Sequence, residues 1–251
     1  MQYKRRRILI LGGTGEGRKL ATRAFQTFQK DVEIISSYAG RTKRTKTPPG
    51  TIREGGFGGI DGLKTFIIDQ SIDVLIDATH PFAKTISHHA AIAARDVGCP
   101  HLILRRPNWV MPKNAQIINF SQMAEVANCL SIQGKRVFLS SGTQGLQSLA
   151  KLKNVWFLVR LITKPDEFLP LAHHKVIIEC PPFVEKQEIA LLEEHKIDLM
   201  VSKHSGGHLP AKITAATKLK IPIFLIQQPP PPVGHKTKHI EEALTWLKAR
   251  L

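Results

Sequence analysis

Residues 7–21 read RILILGGTGEGRKLA. A short apolar run, Ile8 to Leu11, leads at once into Gly12, Gly13, Thr14, Gly15, Glu16 and Gly17, and a segment able to form a helix opens at Arg18. A buried strand feeding a glycine-rich turn and a helix N-terminus makes a phosphate site, because the turn exposes backbone N–H groups and the helix dipole favours negative charge there. The dinucleotide fingerprint G-x-G-x-x-G fails, since Arg18 stands at its third glycine; the pattern that fits is G-x-x-G-x-G, at Gly12, Gly15 and Gly17. The phosphate loop of NTPases fails too, with Arg18 where Lys is required. A tight strand–helix turn without a ligand would use the same glycines, but its place directly after a strand favours nucleotide binding.

The next strand-like run, Val32 to Ser37, ends Ser36-Ser37-Tyr38. An NAD enzyme often carries an acid at this place for the ribose 2′-hydroxyl. None is present: no Asp or Glu lies between Glu33 and Glu54, and the residues that follow include Arg41, Lys43, Arg44 and Lys46. This basic cluster suits a 2′-phosphate and favours NADP over NAD; the alternative is a solvated basic loop.

Outward from these two strands, apolar runs recur at 74–78, 101–104, 137–140, 156–161, 176–178, 199–202 and 221–226, with amphipathic stretches such as 82–97 and 185–196 between them. The alternation predicts an α/β fold with mainly parallel sheets. A second turn, Ser140-Ser141-Gly142-Thr143, follows a strand far from the first and predicts two lobes, 1–130 and 131–251, with the C-terminal end free to cross back to the first. Residues 229–232 are four prolines, read as a stiff connection before a last helix over 237–249.

With 251 residues and 42% hydrophobic content the chain can bury a large core. No run of 18 apolar residues spans a membrane, and no targeting segment is read at the basic N-terminus. Cys99, Cys129 and Cys180 are scattered, form no zinc or disulfide spacing, fit a reducing cytoplasm, and are expected to be small core residues. The net charge of +16 is divided between the halves, with 19 Lys and Arg against 10 Asp and Glu in 1–130 and 17 against 10 in 131–251. Such a distribution suits a polyanionic ligand. Aromatic content of 6% supplies few stacking platforms, which argues against nucleic acid.

Ligands of open α/β sheets sit beyond the carboxyl ends of the strands. Those ends carry Ala78-Thr79-His80-Pro81-Phe82-Ala83, then Ser140-Ser141-Gly142-Thr143-Gln144, then Ser202-Lys203-His204-Ser205-Gly206-Gly207. A separate loop, Gly55-Gly56-Phe57-Gly58-Gly59, precedes Asp61, a candidate helix cap. The pairs His88-His89 and His173-His174 do not suit a metal site, because adjacent helical positions do not face each other.

Taken in order, ILILGGTGEGRKLA, SYAGRT, GGFGGIDGL, DATHPFA, FLSSGTQ and SKHSGG make the chain resemble the precorrin-6A reductase family of cobalamin biosynthesis, from Ile8 to about Ile226. The resemblance implies two Rossmann-like lobes with a ligand cleft between them. It implies NADPH, with NADH open, and reduction of one double bond of the precorrin-6A macrocycle to precorrin-6B. A cobalt-bearing substrate reduced with NADH is the alternative within the family. The substrate, a tetrapyrrole polycarboxylate, would explain positive charge in both lobes, and neighbouring pathway enzymes would be natural partners for hand-over. The chain departs from the family at Cys180-Pro181-Pro182-Phe183, at Gln227-Gln228-Pro229, and at His204, where an Asn is usual.

Residue roles follow from chemistry and resemblance together. Gly12, Gly13, Thr14 and Gly15 cradle a pyrophosphate, Glu16 and Arg18 cap the helix or touch the cofactor, and Arg41, Thr42 and Arg44 take the 2′-phosphate. His80 is a candidate proton donor, with a fixed turn before Pro81 as its other reading. Lys203 pairs with a substrate carboxylate or supplies a proton; Phe57, Gly58, Ser141, Gly142, Thr143, Ser205 and Gly206 are further substrate contacts. A short-chain dehydrogenase needs Tyr-x-x-x-Lys, and Tyr3 and Tyr38 are followed at that spacing by Arg7 and Thr42. A non-catalytic nucleotide- or RNA-binding protein is favoured by charge alone.

Overall fold

The computed structural model describes residues 5–40, 47–130 and 135–251. The chain divides into two compact units, Met1–Pro107 with Pro229–Leu251, and Asn108–Gln228. The first unit runs β1 (Arg6–Leu11), α1 (Gly15–Phe28), β2 (Val32–Tyr38), β3 (Thr51–Glu54), α2 (Gly59–Asp69), β4 (Val74–Asp77), α3 (Lys84–Asp96) and β5 (His101–Leu104). The second runs β6 (Ile117–Phe120), α4 (Met123–Leu130), β7 (Arg136–Leu139), β8 (Trp156–Leu161), β9 (His173–Ile178), α5 (Glu185–Glu194), β10 (Leu199–Lys203), α6 (Ala211–Lys218) and β11 (Ile223–Ile226). The chain then returns to the first unit as β12 (His235–Thr237) and α7 (Ile240–Lys248).

The six-stranded sheets have the orders β12-β5-β4-β1-β2-β3 and β6-β11-β10-β7-β8-β9. Every pairing in both is parallel. Each is the Rossmann order, reversing direction at β1/β4 and at β7/β10. The sixth position of each sheet is filled from the far side of the sequence: β12 joins β5 after the second unit is complete, and β6 joins β11 before that unit's other strands are made.

Strand β1 shows why such a sheet reads as continuous apolar sequence. Successive side chains alternate faces, and both faces are covered. Ile8 and Ile10 pack with Leu20 and Ala24 of α1 and Leu244 and Leu247 of α7. Leu9 and Leu11 pack with Leu63 and Ile67 of α2 and Ala90 and Ala94 of α3. In the second unit Phe138, Leu158 and Met200 meet Leu192 of α5 and Ile213 of α6.

Several expectations need correction. The boundary near residue 130 falls inside the second unit, between α4 and β7, because β6 pairs with β11. The last helix starts at Ile240, not at 237, because His235–Thr237 forms the edge strand β12 beside β5. Asp61 is not the cap of α2; Gly58 holds that place and Asp61 lies in the first turn, where it complements the helix dipole. Cys129 and Cys180 are exposed, so only Cys99 is partly within the core, and burial raises its thiol to about 11.

Helix α7 anchors the returning chain through Ala243, Leu244 and Leu247, all buried against the first unit. Leu247→Ala should lower stability by about 2–5 kcal/mol, read as a lower midpoint in urea unfolding.

Candidate active site

The glycine turn links the end of β1 to α1 at the first sheet's point of reversal. Gly13 has φ +132°, a conformation that glycine adopts without strain. A Cβ on Gly12 would lie 2.5 Å from the Tyr38 ring, and one on Gly17 would lie 2.9 Å from Ala78 Cβ. The turn is therefore pressed onto β2 and β4. Thr14 caps α1: its hydroxyl accepts from Gly17 N–H at 3.1 Å and donates to Ala78 O at 2.8 Å. Gly12 N–H donates to Ser37 O. The N–H groups of Gly13, Thr14, Gly15 and Glu16 donate to none of the described residues, as befits the open first turn of a helix. This cradle fits a phosphate group on its own geometry.

Beside it stands the turn after β4. Asp77, buried, accepts from Thr79 N–H at 3.0 Å, from the Thr79 hydroxyl at 2.6 Å, and from the Ser87 hydroxyl of α3. That network holds His80 next to the glycine turn, where a Cβ on Gly13 would lie 3.9 Å from His80 N. Phe82 N–H donates to His80 Nδ1 at 3.3 Å, so in the neutral ring Nε2 carries the proton. Glu16 pairs with Arg106, whose guanidinium lies 3.9 Å from a Cβ position on Gly15. Arg105 is also drawn in, donating to Pro229 O at 2.9 Å, and burial lowers its pKa while Asp77 opposes the shift.

The remaining first-unit candidates are more dispersed. Phe57 packs edge-on against Phe66 and under Arg53, 3.8 Å from its ring, and Arg53 donates to Gly55 O and Gly56 O at 2.7 Å. The Phe57–Gly58 loop is thus braced by Arg53 from β3. Arg18 lines a cavity of about 380 Å³ with Lys19, Thr22, Arg23, Thr47 and Ile240. Arg41, Thr42 and Arg44 lie outside the described residues.

In the second unit β7 and β10 are neighbours, which brings Ser141, Gly142 and Thr143 to the same sheet end as Lys203, Ser205 and Gly206. Lys203 Nζ donates to Gln144 Oε1 at 3.3 Å, and burial lowers its pKa. Ser141 is only 7% exposed, and its hydroxyl has no partner among the described residues. His204 stacks on Trp109, with centroids 4.6 Å apart; its Nδ1 is also without a partner there, and burial lowers its pKa.

A buried charged layer lies on the face of this sheet covered by α5 and α6. Arg160 donates to both oxygens of Glu188, at 2.6 and 2.8 Å, between the rings of Phe138 and Phe183. Half-buried Lys212 of α6 donates to Ser140 Oγ at 2.9 Å. Burial and the Arg160 charge push its ammonium down to about 8, with Glu188 opposing.

Asp77, Arg106, Trp109, Arg160 and Lys212 were not among the residues singled out from sequence. Asp77 had a visible signal, an acid closing an apolar strand before Ala-Thr-His-Pro; the others depend on long-range packing. Among the described residues no group of three or more His, Cys, Asp or Glu could hold a metal ion, and no helix is long and apolar enough to cross a membrane.

Two parallel Rossmann-type sheets, with a glycine turn that fits a phosphate group at the reversal point of the first, define a doubly wound α/β protein of the Rossmann class. Within that class the chain belongs to the precorrin-6x reductase CbiJ/CobK family, whose model matches residues 7–248, and so to oxidoreductases that act on a carbon–carbon bond of the macrocycle. It is 41% identical over 243 residues to a precorrin-6A reductase of Rhodococcus erythropolis, covering 96% of this chain and 97% of that one. A Mycobacterium tuberculosis precorrin-6A reductase is 42% identical over 244 residues, with the same coverage of 96% and 97%. The solved structure titled CobK precorrin-6A reductase superposes with a TM-score of 0.89 at 32% identity, covering 98% of this chain and 97% of that one.

The lowered Lys212 pKa has a thermodynamic consequence. With an ordinary value of 10.5 in the unfolded chain and about 8 in the folded one, the unfolded state binds the extra proton between those values, and stability rises with pH across that window. Urea unfolding at pH 7.5 and 9.5 should show the wild type gaining stability relative to Lys212→Met as pH rises.

Proposed function

We propose that this protein reduces one double bond of precorrin-6A with NADPH to give precorrin-6B. The observation that carries the cofactor half is the cradle at residues 13–16, four backbone N–H groups open at a helix N-terminus beside Arg106. The substrate half rests on the names of the relatives, together with a net charge of +16 suited to a polycarboxylate.

When bound, NADPH supplies the hydride, so the chain's own residues bind, orient and provide the proton. Gly13, Gly15 and the Thr14 backbone receive the pyrophosphate, while the Thr14 hydroxyl is already committed to capping α1 and to Ala78 O. Glu16 acts through Arg106, holding that guanidinium at the cradle. Preference for the 2′-phosphate rests on Arg41, Thr42 and Arg44 and on the absence of an acid at the end of β2. Saturation of the bond also consumes one proton. His80, held next to the glycine turn, is the group assigned to it, donating as the imidazolium so that the neutral ring is left, the form in which Nδ1 accepts from Phe82 N–H. Lys203 and the Ser141–Thr143 and Ser205–Gly206 turns receive acetate and propionate arms of the macrocycle.

Anaerobic incubation with precorrin-6A and either NADPH or NADH tests this reading. The expected result is loss of NADPH absorbance matched by a two-electron change in the macrocycle spectrum. Turnover with NADH alone would remove the 2′-phosphate assignment, and no oxidation of either cofactor would overturn the reaction. Arg41→Ala with Arg44→Ala should raise KM for NADPH by about 10-fold or more, the loss of a charge-assisted contact, and leave KM for NADH unchanged. His80→Gln should lower kcat by roughly 100-fold or more, the usual contribution of a positioned acid, with NADPH affinity retained.

A further inference from the structure

The face of the second sheet beneath α5 and α6 changes character along its strands. Phe138, Leu158 and Met200 lie in the apolar core. Two residues further toward the carboxyl ends, and so on the same face, stand Ser140, Arg160 and Ser202. Lys212 of α6 and Glu188 of α5 close on this polar layer. Its two cations share its two carboxylates unevenly. Both oxygens of the buried Glu188 are held by Arg160, and the half-exposed Glu179 also faces Arg160, 3.5 Å from its Nε. Lys212 has an uncharged partner, Ser140, whose hydroxyl lies at 2.9 Å and whose carbonyl lies at 3.5 Å. No ion pair of Lys212 is present among the described residues.

A half-buried ammonium beside a second cation, with the nearby Glu188 already held by Arg160, is unfavourable, and it stands at the sheet's point of reversal, where α/β proteins take their ligands. Burial and Arg160 both act against its charge, as the downward shift to about 8 reflects. An arriving anion would relieve each of these costs. Lys212 is half-buried rather than sealed, so the position is open to a ligand group.

We propose that the Lys212 ammonium, with the Ser140 hydroxyl beside it, is the seat of one carboxylate arm of the substrate. The inference rests on the reading that the substrate is the tetrapyrrole polycarboxylate precorrin-6A. It adds a cationic contact under α6 to the one assigned to Lys203. A purely structural Lys212 would instead serve to tether α6 to Ser140, and its loss would weaken the fold without touching ligand affinity.

The test is a titration of the intact protein with precorrin-6A, followed by the macrocycle absorbance, alongside NADPH binding, steady-state kinetics and thermal melting at pH 7. Lys212→Met should weaken precorrin-6A binding about 10- to 100-fold, the loss of a charge-assisted hydrogen bond. NADPH affinity should be unchanged and Tm equal to or above that of the wild type, because an unpaired charge has been removed. Ser140→Ala, which keeps the ammonium, should weaken macrocycle binding less. If the wild type reduces precorrin-6A and Lys212→Met binds it equally well, or loses Tm and NADPH affinity together, the subsite is wrong while the reaction stands. If the wild type neither binds nor reduces precorrin-6A, the reading of the reaction fails and the subsite falls with it.

Discussion

In a parallel sheet every strand is entered from the same end, so each connection must travel back across a face before the next strand can begin. Both six-stranded sheets obey this without exception. The crossings supply the helices that bury β1 on both faces and β7 and β10 between their neighbours. They also send every carboxyl end to one edge of each sheet. The glycine turn and His80 are neighbours because β1 and β4 are paired in register, with Leu11 opposite Asp77. The Ser141 and Lys203 turns are neighbours because β7 and β10 are paired, with Leu139 opposite Val201. Proximity within each candidate site is thus a consequence of pairing, and side chains only refine it.

That refinement is done by a few polar side chains that satisfy backbone at the edge. The Thr14 hydroxyl links Gly17 N–H to Ala78 O, and Asp77 gathers Thr79 and Ser87. These bonds fasten the two turns of the first unit to each other. Four amides at the start of α1 are left to face outward. A buried amide without a partner is costly, whereas one at the mouth of a turn is satisfied by water or by an anion. The site is therefore created by fixing its surroundings firmly and leaving its donors open.

Sequence conveys the central strands and, of the four edges, only part of β9, at 176–178. Strands β1, β2, β4, β7, β8 and β10 are buried on both faces and read as apolar runs. The unread strands β3, β6 and β12 have three or four residues each, with exposed positions, and lie at or near sheet edges. A short edge strand needs no apolar run, and its pairing partner can be remote: Ile117 meets Ile223, and Thr237 meets Leu104. Because β6 and β12 carry no apolar run, the sequence pattern puts the unit boundary near 130 rather than before β6. The same limit applies to the site. Gly12, Gly13 and Thr14 belong to one local turn and were legible as such. Arg106 reaches Glu16 across 90 residues and Lys212 reaches Ser140 across 72, and no local pattern announces either.

The charged layer under α5 and α6 shows what such long-range placements cost. An apolar set of similar volume would make a core at least as stable as the Arg160–Glu188 pair, and the pair would be strongly destabilising if either partner were lost. Lys212 adds a further charge that Glu188, bonded to Arg160, compensates only in part. The first unit manages its edge differently: its open donors at residues 13–16 are backbone amides, which carry no net charge and need no counter-ion. The second unit places side-chain cations at its edge, and these must be held in the protein with or without a partner charge. Arg160 resolves that problem by keeping Glu188 permanently, and Lys212 leaves it unresolved. A cation held in that state on α6, beside the end of β7, carries a stability cost that only a bound anion would recover.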